Sequence, residues 1–114
     1  MVDAADAAQR QYGPRDHRAV MLHANRLKER EIERMRDLGI IPSFYSYQIC
    51  TRGDWHSEAL GAERAAELNP ARWAVEREMW FTAHTDAPIS PISPVSLVAC
   101  NVNRLSSGGQ LAGR

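Results

Sequence analysis

Three short apolar runs, separated by stretches of helical character, constrain the architecture of this 114-residue chain more than any other feature. The first, Arg18-Ala19-Val20-Met21-Leu22-His23-Ala24, is apolar at consecutive positions rather than alternate ones. That is the pattern of a strand covered on both faces, as in a parallel sheet. Residues 27–38, LKEREIERMRDL, then place Leu27, Ile32, Met35 and Leu38 on roughly one face. Their charged side is expected to face solvent, and Gly39 stands where a helix C-cap belongs. The second run, residues 40–47, follows at once, with Pro42 near its start where a missing donor is tolerated. The third run, residues 80–86, ends in His84 and Asp86, and Pro88, Pro91 and Pro94 then interrupt regular structure.

The intervening segments complete the pattern. Residues 2–11 read as the end of a helix, stopped by Gly13-Pro14. Residues 50–61 have a loop composition, and a short Ala/Glu-rich helix follows over about residues 61–68. Asn69-Pro70 is a good helix start, N-cap plus proline, for residues 70–79. Residues 95–105 can be helical again, and residues 106–109 form a turn before a ragged end. Alternating β and α units predict an α/β fold with a parallel sheet and right-handed crossovers. Three strands are few for this class. A complete (β/α)8 barrel takes about 250 residues, and a doubly wound domain usually has about six strands. The chain is therefore expected to be a fragment of a larger parallel α/β fold.

Fourteen basic residues balance fourteen acidic ones, so overall charge gives no support to a nucleic-acid or anionic-membrane partner. No apolar run approaches the roughly 20 residues needed to span a bilayer. The N-terminal MVDAADAAQRQYG lacks a basic region followed by an apolar core, so no signal peptide is expected. Cys50 and Cys100 form no metal-binding spacing and are expected as two reduced thiols of a cytoplasmic protein.

In β/α proteins, catalytic groups gather at the C-terminal ends of parallel strands. Here His23 ends the first strand, residues 45–48 end the second, and His84 and Asp86 end the third. An imidazole and a carboxylate on one rim suit a hard or borderline divalent ion. Position alone leaves other roles open: a strand-end histidine can be a hydrogen-bonded core or surface residue, and Asp86 can cap a turn. His17 and His56 lie in polar stretches and are expected to be solvated. Trp55, Trp73 and Trp80 are expected to pack.

The order LHAN (22–25), DLGIIPSF (37–44), LGAERAAELNPAR (60–72), AHTDAPISP (83–91) and NVNR (101–104) resembles the amidohydrolase superfamily. Within it the chain is similar to the family 3 amidohydrolases, among them YtcJ-like proteins and N-substituted formamide deformylases. The resemblance implies that the larger fold is a metal-binding (β/α)8 TIM-type barrel, present here in part as about three parallel strands, its sixth, seventh and eighth. Residues 1–114 would then be a fragment of a single metal-dependent hydrolase domain. It implies hydrolysis of carbon–nitrogen bonds other than peptide bonds in a small amide-type substrate, with a divalent metal, Zn²⁺ being expected. By resemblance His23 is the sixth-strand metal ligand, although Met21-Leu22 replaces the family's Ile-Glu. Asp86 matches the eighth-strand aspartate, which binds metal and handles the proton of the attacking water. His84 fits an H-x-D-A-P variant and is expected to face the substrate pocket. The family's first-, fourth- and fifth-strand ligands have no counterpart, so the chain alone is expected to be inactive. The competing expectation is a non-catalytic α/β module that binds a partner or another copy of itself.

Overall fold

The computed structural model describes residues 1–109. Helix α1 (Val2–Tyr12) leads into strand β1 (Val20–Met21), helix α2 (Glu29–Asp37) and strand β2 (Ile41–Phe44). Helices α3 (Tyr47–Leu60), α4 (Ala62–Ala66) and α5 (Ala71–Glu76) precede strand β3 (Thr82–Ala83), and helix α6 (Pro94–Asn103) follows it. The sheet order is β1-β2-β3, all parallel, with Val20 opposite Ile41 and Ser43 opposite Thr82. Strands that neighbour each other in chain order are what one arc of a barrel contains, whereas a doubly wound sheet reverses order at its switch point. The α/β class and the parallel sheet therefore stand as expected, compatible with a partial TIM-type barrel.

Helix α2 shows how the local sequence makes an element. The Lys28 N–H donates to Glu31 Oε2 at 2.8 Å, which satisfies one orphan donor at the helix start. At the other end Gly39 has φ 69°, and its N–H donates to Arg36 O while the Ile40 N–H donates to Met35 O. This paired closure needs a left-handed residue, and glycine adopts that conformation without steric cost. Ile32 and Met35 are fully buried beneath the helix, packed with Leu27, Ile40, Phe44 and Ala74. Burying one such side chain stabilises by about 1.5–3 kcal/mol. The charged side of α2 faces outward, where Glu29 and Glu33 both pair with Arg77 and Arg34 pairs with Asp3.

Several expectations fail. Residues 50–61 are not a loop but most of α3, in spite of Gly53. A helical glycine costs roughly 0.5–1 kcal/mol against alanine, yet the helix forms with Gly53 buried in its middle. Cys50 and Cys100 are not free thiols; they form a disulfide that joins α3 to α6. Asn69 does not cap α5: its side chain is buried with no hydrogen-bond partner among the described residues, while its N–H donates to Asn25 O and its carbonyl accepts from the Ala71 N–H and Arg104 Nη1. Trp55 and Trp80 are exposed, the latter 86% so, and only Trp73 packs against the core. His56 lies on α3 beside the Trp55 ring rather than in a loop. His17 is exposed as expected, yet its Nε2 lies 2.8 Å from Leu38 O and its Nδ1 accepts from the Ala19 N–H. The expected turn forms at residues 107–108, and the ragged end lies outside the described residues. No described helix is long and apolar enough to cross a membrane.

Candidate metal centre

The pairing of the three strands decides which side chains meet at their C-terminal ends. Beyond β1, the Ala24 N–H donates to Ser43 O, so His23 is held at the end of β2. Beyond β3, the His84 N–H donates to Phe44 O and continues the ladder on the other side. Tyr45, the first residue after β2, therefore stands between the two histidines. Its ring stacks on His84 at 5.5 Å and 16°, and meets His23 edge-on at 5.9 Å. The two imidazoles are 4.9 Å apart in a T-shaped contact.

Asp86 joins them through the turn after β3. Its backbone has φ 59° and its carbonyl accepts from the Ile89 N–H. His23 also has a left-handed backbone, φ 54°. Histidine and aspartate tolerate this region better than most residues, and such strain often accompanies functional sites. Among the described residues four other non-glycine ones share it (Arg18, Asn69, Glu78 and Arg104), so backbone strain alone does not single out the centre. His23 Nε2 and Asp86 Oδ1 are 3.4 Å apart, with both side chains partly exposed. Metal–nitrogen and metal–oxygen bonds of about 2.0–2.2 Å put neighbouring tetrahedral ligands at close to that spacing. One ligand atom from each of His23, His84 and Asp86 lies within 4.8 Å of the others.

The donor set and its environment fit a divalent ion. Two imidazoles and a carboxylate are borderline ligands of the kind that zinc and similar ions take. His84 Nε2 is buried and has no hydrogen-bond partner among the described residues, so the protein's own network does not use it. Burial is the largest influence on this ring and pushes its pKa below the usual histidine range. The neighbouring His23 acts in the same direction, while Asp86 opposes both. A neutral imidazole is the form a metal needs.

Two residues that sequence reasoning did not single out hold the arrangement. Asn25 Oδ1 accepts from the Tyr45 N–H at 2.9 Å, and its backbone carbonyl accepts from Asn69. It therefore ties the end of β1 to the end of β2 and to the segment before α5. Ser90 shares a buried 2.7 Å hydrogen bond with the Tyr45 hydroxyl, which anchors the far side of the turn that carries Asp86. Asn25 stands two residues after His23 and Ser90 four after Asp86, so proximity in sequence was the available signal.

A parallel α/β sheet that brings an imidazole pair and a carboxylate to its C-terminal rim defines a domain with a candidate metal centre. The amidohydrolase family model matches residues 1–114, and the chain belongs to that family. Hydrolase-type chemistry and a bound metal are typical of its members, and the His–His–Asp group has the donor atoms to hold an ion. No curated protein and no solved structure matches the chain.

Proposed function

We propose that this chain supplies the sixth, seventh and eighth strands of a family 3 amidohydrolase barrel that hydrolyses non-peptide carbon–nitrogen bonds. The substrate in this reading is a small amide or formamide, as in YtcJ-like proteins and N-substituted formamide deformylases, and neither a nucleic acid nor a membrane. The carrying observation is the convergence of His23, His84 and Asp86 from two strand ends onto one rim, within 4.8 Å. His23 and Asp86 hold the ion, Zn²⁺ in the first instance. When bound, such an ion polarises a carbonyl and lowers the pKa of a water. Asp86 takes the proton from the attacking water and passes it to the leaving nitrogen. The Asp86 side chain is partly exposed, as a group that exchanges protons with water requires.

The test is Asp86→Asn in the complete barrel. Asparagine keeps the shape but cannot accept the proton, so kcat falls by about 10²–10⁴-fold with folding preserved. A variant that keeps more than about a tenth of the unaltered kcat refutes the role. A second reading, self-association of the chain without catalysis, has its own observation. Val95, Val98 and Val102 form an exposed apolar stripe at helical spacing on α6, and Val20, Leu22 and Trp80 are also exposed.

A further inference from the structure

We infer that His84 is a third ligand of the ion held by His23 and Asp86, rather than the substrate contact that the family resemblance implies. The inference rests on the metal-site reading above and deepens it. A histidine that reads substrate keeps its polar atoms open to the pocket, so that a ligand can reach them. His84 does the opposite: its Nε2 is shut away from solvent, and no described residue hydrogen-bonds to it. Yet a ring nitrogen of this side chain stands within 4.8 Å of the ligand atoms of both His23 and Asp86.

The ring is also held in place on two sides. Tyr45 lies flat against it, and the Tyr45 hydroxyl is itself fixed by the buried hydrogen bond to Ser90. The His23 ring packs edge-on at 4.9 Å. The His84 backbone is fixed by its N–H donating to Phe44 O, so the imidazole leaves the last rung of the ladder and not a free loop. Ligands carried on rigid elements with their rings packed in place are the arrangement that metal sites require. His84 and Asp86 then act as a pair two residues apart, reaching one ion from a single strand end, with His23 opposite them.

Zinc K-edge X-ray absorption on the 114-residue chain with one equivalent of Zn²⁺ counts imidazoles per ion whatever the state of association. We expect two imidazoles in the unaltered chain and one in each of His84→Ala and His23→Ala. His84→Phe keeps a ring against Tyr45 without a nitrogen and is expected to match His84→Ala. In titration calorimetry both position-84 variants lose at least about tenfold in Zn²⁺ affinity. One imidazole in the unaltered chain, unchanged in His84→Phe but lost in His23→Ala, overturns the inference and leaves the metal-site reading standing. Zinc binding that ignores both His23→Ala and Asp86→Ala overturns the two together.

Discussion

Replacing Asn25 with alanine isolates the clamp that sets the distance between the first two strand ends. Asn25 Oδ1 accepts the Tyr45 N–H at 2.9 Å, and Tyr45 itself is buried, so water cannot substitute freely for the lost acceptor. Leaving a buried donor unsatisfied costs about 1–3 kcal/mol. At about 1.4 kcal/mol per tenfold change, that is roughly 5- to 150-fold in the opening equilibrium of this amide. Asn25→Asp keeps both the shape and an acceptor oxygen, so it should hold the amide nearly as well as the unaltered residue. Hydrogen exchange followed by mass spectrometry over residues 44–48 reads the effect directly and does not require a two-state melt. We expect exchange at Tyr45 to accelerate within that range in Asn25→Ala and to stay close to the unaltered rate in Asn25→Asp. Zn²⁺ affinity should fall in Asn25→Ala alone, because His23 and His84 sit on the two sides of Tyr45. Unchanged exchange in Asn25→Ala, or equal acceleration in both variants, would refute the clamp.

Reducing the Cys50–Cys100 disulfide, which spans fifty residues of sequence, should lower stability by about 4 kcal/mol on the chain-entropy account; urea unfolding with and without dithiothreitol measures it. Light scattering should find the chain self-associated, and Val95→Lys with Val102→Lys on α6 should shift it towards monomer; a monomer at every concentration counts against the second reading. Asp54 accepts from the Ser106 hydroxyl, and then from the Gly108 N–H and Ser107 hydroxyl, which together hold its pKa below the ordinary aspartate value. A depressed carboxylate pKa contributes stability that is present above the unfolded value of about 3.9 and lost as pH falls through the folded one. Acid unfolding of Asp54→Asn should therefore lack that component, and an unaltered acid limb would exclude it. The chain alone should show no amide turnover with Zn²⁺, Mn²⁺ or Fe²⁺, and chelator-sensitive hydrolysis in a coupled amine assay would refute that.

The alternation of β and α units was legible because its signals are local. Consecutive apolar positions over 18–24 and 40–47, a one-sided apolar pattern over 27–38 and a glycine at 39 each act within a few residues. The strands came out shorter than the apolar runs, since pairing reaches only as far as the partner's ladder extends. What the sequence could not show depends on distant contacts. Helix α3 carries Gly53, Asp54, Trp55 and His56, a composition that locally favours a loop, and becomes helical where it is bound to α6 through Cys50 and packed at Gly53. Asn69 has the right identity for a cap, but its backbone is left-handed, φ 51°, and its N–H is taken by Asn25. At the candidate centre His23, His84 and Asp86 could be named from strand-end position and resemblance. The buried, uncommitted nitrogen of His84 could not, since it depends on how distant parts of the chain pack around that ring, among them a tyrosine thirty-nine positions away.

The Cys50–Cys100 bond turns a linear polymer into a covalent ring with two tails. Strand β3, His84, Asp86 and Ser90 ride inside the ring, while His23, Asn25 and Tyr45 sit on the tail that precedes it. A protease that cuts once between the two cysteines therefore releases nothing: the nicked molecule keeps its mass without reductant and separates into two pieces only when the sulfurs are reduced. The two sides of the candidate centre thus differ in how they tolerate damage. A break in the ring leaves both cut segments joined through the disulfide, whereas a break between Tyr45 and Cys50 severs every covalent link between His23 and its partners.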